Sequence, residues 1–158
     1  MRREDVVFVA RNMRDADRRE IFATRWTDDA DTLADDCLFC APLAWCAWSP
    51  DAPEVPVAVF GLSPARPGVF QAWLFATDDF FRVAKRVTRF AKQHIMPACR
   101  AARTHRIEAL SIAGHESAHK WMEKSFGATK EADHPGFGRR AEMFHTFAWI
   151  DPDVRPES

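Results

Sequence analysis

The stretch Gln71-Ala-Trp-Leu-Phe-Ala-Thr-Asp-Asp-Phe-Phe-Arg-Val-Ala-Lys-Arg-Val87 reads as a buried strand, a tight junction and the first turns of an amphipathic helix. Such a junction often holds an anion, because main-chain N–H groups and the positive end of the helix dipole converge there. Here it is Ala76-Thr77-Asp78-Asp79, with no glycine and a pair of carboxylates. Asp78 and Asp79 are expected to take the main-chain donors themselves and to repel a phosphate. The frame of an anion site is present without its chemistry.

Downstream, Phe80, Val83, Ala84, Val87, Phe90, Ala91 and Ile95 share one face of a helix expected over residues 80–103. Arg82, Lys85, Arg86, Arg89 and Lys92 lie largely away from that face. Pro97 is expected to kink the helix or restart it. A nearly all-apolar strand of the buried parallel kind follows at 107–113. The next helix spans 114–128, with Ala118, Trp121, Met122 and Phe126 inward and Gly127 as its C-cap. Strands at 129–132 and 141–150 flank the loop Asp133-His-Pro-Gly-Phe-Gly-Arg-Arg140.

Upstream, strands at 57–62 and 69–75 are joined by a Pro- and Gly-punctuated turn, and another strand is expected at 43–49. Trp45, Trp48 and Trp73 on these strands are expected to pack together. A β run at 6–10 opens the chain. A helix from Asp15 to about residue 26 and another at 31–39 come next, the second stopped by Pro42. The order β, α, α, β, β, β, long α, β, α, β, β predicts an α/β fold, a mixed sheet covered by helices on both faces.

At 158 residues the chain suits one domain, here residues 1–150, with a loose polar tail at 151–158. Its 47% hydrophobic and 28% charged residues are ordinary for a globular chain. Net charge of −1 singles out neither nucleic acid nor a polyacidic partner. No apolar run approaches the ~18 residues of a membrane span, and no signal-peptide core fits the N-terminus. Asp28, Asp29, Asp31, Asp35 and Asp36 form an acidic patch and residues 82–106 a basic one, both read as solvated faces. Cys37-Leu-Phe-Cys40, Cys46 and Cys99 lack the further ligands of a zinc site, so they read as reduced, buried thiols and no metal is expected.

The element order, with the helix ending Phe126-Gly127-Ala128 before a final strand pair, resembles the GNAT acetyltransferase fold over nearly the whole chain. That resemblance implies acetyl-CoA with its pyrophosphate in a loop of the form Arg/Gln-x-x-Gly-x-Gly/Ala. The corresponding segment, 77–83, has none of those glycines. It also implies a tyrosine general acid near Met122 or Glu123, and the chain contains no tyrosine.

A narrower resemblance lies in Trp73-Leu-Phe-Ala-Thr-Asp-Asp79, the basic helix after it and the 114–128 helix. These look like the small internal virion protein A of short-tailed phages over about residues 70–150. Departures are Pro97 and an extra residue in the 114–127 helix. This likeness implies a non-catalytic virion-morphogenesis protein, in the virion or host cytoplasm, with no cofactor and no catalytic residue. Thr77, Asp78 and Asp79 are its diagnostic degenerate loop. Its partners would be other phage virion proteins and, through Arg82, Lys85, Arg86, Arg89 and Lys92, packaged DNA.

The alternative is an acetyl-CoA-dependent N-acetyltransferase with an atypical cofactor loop. The reaction needs a carbonyl positioned by a strand N–H and a base for one proton. Glu108, His115, Glu116 and His119 are the candidates for that base. Gly136, Gly138, Arg139 and Arg140 offer either simple turn chemistry or an anion clamp.

Overall fold

The computed structural model describes residues 1–40 and 43–153. Pro42 and residues 154–158 of the expected tail lie outside them. Helices α1 (Arg3–Arg11), α2 (Asp15–Ala23) and α3 (Ala30–Cys40) lead into β1 (Leu43–Trp48), β2 (Pro56–Arg66) and β3 (Val69–Ala76). Then α4 (Phe80–Phe90) passes through a π-helical turn at Ala91–Ile95 into α5 (Met96–Ala101). Strand β4 (Arg106–Ile112) precedes α6 (Glu116–Trp121), a second π-helical turn at Met122–Phe126, β5 (Thr129–His134) and β6 (Phe144–Ile150).

The expected β run at 6–10 is instead the helix α1. Its valines suit a strand, but Val6, Val9, Ala10 and Met13 recur at helical spacing and all are buried. They pack with Leu33, Ala34 and Cys37 of α3 against Val59 and Phe75 of the sheet. Asp5 anchors the helix start by accepting from the Arg2 main-chain N–H at 3.1 Å.

The sheet runs β1-β2-β3-β4-β6-β5, antiparallel except at β3–β4. Strand alternation sends successive residues to opposite faces. Val59, Trp73 and Phe75 join the cluster of α1, α2 and α3, while Phe60, Leu62 and Leu74 join Val83, Val87 and Ile95 of the α4 segment. The same alternation separates the tryptophans expected to pack together. Trp45 stacks on Phe60 under α4, whereas Trp73 stacks on Phe75 on the other side. Trp73 lies so close over Gly61 that a Cβ there would come within 2.5 Å of its ring.

Pro97 sits in the first turn of α5, directly after the π turn, where its missing N–H is tolerated. The extra residue of the following helix is taken up by the second π turn, which Gly127 ends in the left-handed conformation at φ 67°.

Candidate active site

The parallel pair β3–β4 makes the site. Its register covers only Val69–Arg106, Phe70–Ile107 and Gln71–Glu108. Beyond those residues the strands part, and a cleft of about 950 Å³ opens between them. Residues 71–75 of β3 and 107–111 of β4 line it, with Phe80, Val87 and Trp121 from the covering helices.

At the mouth of the cleft, where both strands end, α2 bridges the gap. The Ala76 N–H donates to Asp17 Oδ2 at 2.8 Å, and the Ile112 N–H donates to Glu20 Oε2 at 2.8 Å. The same Glu20 oxygen accepts the Ser111 hydroxyl at 2.5 Å and contacts His115 Nδ1 at 3.1 Å. Since a carboxylate can only accept, His115 carries a proton on Nδ1. Its Nε2, buried and without a hydrogen bond among the described residues, lies 3.5 Å from Asp17 Oδ1.

Ser111 has given its hydrogen to Glu20, so it accepts from His119 Nε2 at 3.1 Å. Burial pushes the His119 imidazole below its ordinary value, which keeps it neutral at pH 7. Burial likewise raises the Asp17 carboxyl, against the opposing pull of the Arg14 guanidinium 2.8 Å away. A largely buried chain of hydrogen bonds therefore runs His115, Glu20, Ser111, His119 across the mouth, with Asp17 3.5 Å from His115 at one end.

Of the candidate bases, only His115 and His119 reach this cluster. Glu108 is tied to Arg106 at 2.8 Å and Arg66 at 3.4 Å, and the Arg106 hydrogen bond holds its carboxyl below the usual range. Glu116 is exposed. Asp17, Glu20 and Ser111 went unrecognised in the sequence. One sign was available: Asp17, Glu20 and Ile21 share the cleft-facing side of α2, where apolar residues are the rule.

The junction Thr77-Asp78-Asp79 departs from expectation. Asp78 and Asp79 are exposed and do not take the main-chain donors. Asp79 instead accepts from Arg82 Nε at 3.0 Å, and Arg82 also reaches Asp51 at 2.6 Å. Among the described residues the main-chain N–H groups of Asp78 and Asp79 form no hydrogen bond, while that of Thr77 donates to Val57 O at 2.9 Å. The carboxylates that do occupy main-chain donors are Asp17 and Glu20.

Arg82, Lys85, Arg86, Arg89 and Lys92 are all exposed, and only Arg82 has a carboxylate partner among the described residues. The acidic patch is not simply solvated. Asp31 and Asp35 pair with Arg3, Asp36 with Arg25, and Asp28 with Arg139. Arg139, half of the anion clamp weighed against simple turn chemistry, is thereby engaged, and its N–H docks on Ala23 O at 2.7 Å. Cys37 and Cys99 are buried in apolar clusters, and burial pushes the Cys46 thiol up to about 12. Among the described residues no three or more His, Cys, Asp or Glu side chains are arranged so that they could hold a metal ion.

No family model and no curated protein matches the sequence. Solved structures do match. Ard1 from Thermoplasma volcanium superposes with a TM-score of 0.71 at 16% identity, covering 95% of this chain and 93% of that one. An acetyltransferase of the GNAT family from Bacillus anthracis gives 0.64 at 13% identity over 95% and 91%. The chain has a GNAT-like fold. YncA, a putative acetyltransferase from Salmonella typhimurium solved with its cofactor acetyl-CoA, gives 0.60 at 15% identity over 86% and 84%.

Proposed function

We propose that the protein is an N-acyltransferase that takes an acyl-CoA in the cleft between β3 and β4. The observation that carries this is the parting of the strands after Gln71 and Glu108, which opens a deep cleft beside a buried acid–histidine cluster. Bare N–H groups at Asp78 and Asp79 lie at the start of α4 beside Arg82, whose guanidinium would have to turn from Asp79 and Asp51 to meet an anionic arm, so the junction retains main-chain donors despite its lack of glycine. Residues 72–75 of β3 would flank the thioester arm, and Asp78, Asp79 and Arg82 its charged end.

Bound there, the coenzyme supplies an activated thioester carbonyl. His115 is the base. Glu20 holds its Nδ1–H, so Nε2 would be left to take the proton an attacking amine releases as the C–N bond forms and the C–S bond breaks, the imidazolium then returning this proton to the departing coenzyme A thiolate. Asp17, 3.5 Å away, stabilises the resulting imidazolium. Closure of the mouth by α2 excludes water, and α2 must yield to admit the arm.

Titration of the intact chain with acetyl-CoA, followed calorimetrically and by thermal unfolding, tests this reading. Binding in the micromolar to sub-millimolar range, with acyl transfer to a primary amine, is expected. Absence of binding at millimolar coenzyme would end it.

A second reading is the non-catalytic virion-morphogenesis protein, favoured by the glycine-free junction and by the strand-end donors already held by Asp17 and Glu20. On it, Lys85, Arg86, Arg89 and Lys92 face other virion proteins or packaged DNA. Failure of every coenzyme titration, together with co-purification with phage particles, is its signature.

A further inference from the structure

The buried acid–histidine cluster lies at the mouth of the cleft, and farther in Gln71 and Glu108 also line it. Toward the end where β3 and β4 pair, its lining is otherwise apolar, with Ala91, Ile95, Met96, Ile107, Met122 and Phe126. Both π-helical turns border this end: the first brings Ala91 and Ile95, the second Met122 and Phe126. A π turn widens a helix locally and is uncommon away from functional sites. Here a pair of them flanks the same space. Phe70 and Ile107, at the paired end of the strands, pack into the cluster that holds Ile95.

The cleft is large, and it has to hold the thioester arm as well as the acyl group. At about 950 Å³ it stands near the top of the range for small-molecule pockets. An acetyl group takes up roughly the space of two water molecules, ~60 Å³. The charged residue of the lining at this end is Glu108, which is held by Arg106 at 2.8 Å and Arg66 at 3.4 Å, while Asp17, Glu20 and His115 gather at the strand ends.

We infer that the donor carries a hydrocarbon chain of roughly eight carbons or more, threaded past the polar mouth into the apolar end beneath the two π turns. This rests on the acyltransferase reading and adds its substrate class. Burial of each methylene there raises affinity by up to about fourfold.

The experiment titrates the intact protein with acetyl-, octanoyl- and lauroyl-CoA, with coenzyme A alone, and with the free fatty acids. Octanoyl-CoA is expected to bind ~100-fold or more tighter than acetyl-CoA, and tighter than octanoate. Ala91→Phe, which fills the apolar end, is expected to remove at least about tenfold of that gain and to leave acetyl-CoA affinity unchanged. Met96→Trp, read the same way, serves if the first variant fails to fold. Equal affinity for acetyl- and octanoyl-CoA overturns the inference and leaves the acyltransferase standing. Fatty acids binding as tightly as their thioesters overturn the thioester donor, and no binding by any acyl-CoA overturns both.

Discussion

Two strand-to-helix junctions sit side by side at the open end of the β3–β4 cleft, and they handle charge in opposite ways. At β3–α4, Asp78 and Asp79 are exposed, and Asp79 turns to Arg82 instead of the main chain. At β4–α6, Ser111, His115 and His119 are buried and are laced to Glu20 and, through His115, to Asp17. The acids conspicuous in the sequence are solvated and locally neutralised. The acids that govern the site come from α2, a helix far away along the chain. Position in the fold, more than the number of carboxylates, decides which of them shape the cleft, because water screens the exposed ones and cannot reach the buried ones.

Removing one buried carboxylate of α2 and one exposed carboxylate of the β3–α4 junction sharpens that contrast most. Asp17→Ala strands the Ala76 N–H and the Arg14 guanidinium, so it is expected to cost about 3–5 kcal/mol, read from the urea midpoint. Asp78→Ala in the same assay should leave the midpoint where it was. Equal losses would erase the distinction between the two.

The chemistry offers the next test. His115→Gln is expected to lower acyl transfer about 10²- to 10⁴-fold while acyl-CoA binding persists, as judged by single-turnover rates beside a titration. A variant that loses binding and turnover together would make His115 a structural residue.

Gly61→Ala probes the opposite side of the sheet from α4, where Trp73 would have to move. A loss of about 1–3 kcal/mol in chemical denaturation is expected, with the Trp73 fluorescence altered.

Mild acid should act on the buried junction through His119. His119 is held below its ordinary 6.5 by burial, so the unfolded chain binds its proton first as pH falls. Its contribution to stability is therefore complete above pH 6.5 and is lost as pH drops through the depressed folded value. His119→Gln should flatten the fall in melting temperature between pH 7.5 and 5.5. An unchanged slope would place the acid sensitivity elsewhere. The smallest effect belongs to the exposed helix face: charge reversal at Lys85, Arg86 and Arg89 should leave melting temperature and acyl-CoA affinity unmoved. Loss of either would tie that face to the fold or the site.

Much of the architecture was legible because it is local. The alternation along β3, the apolar stripe of α4 and the Gly127 cap each follow from a few neighbouring residues. Val6–Ala10 misled because valine favours strands, and only burial against Leu33 and Val59 showed the helical spacing to be the stronger signal. The two π turns left traces in the sequence, as Pro97 and as an extra residue before Gly127, but their shared place beside one cleft did not.

By itself, then, the chain determined the order of its elements from Asp15 onward and the α/β class, since hydrophobic period and turn chemistry act over a few residues. Tertiary structure decided the parting of β3 from β4 and the meeting of Glu20 with Ser111, 91 positions apart. No local pattern encodes such an encounter, because it arises only when the sheet and α2 close around groups that water would otherwise keep apart.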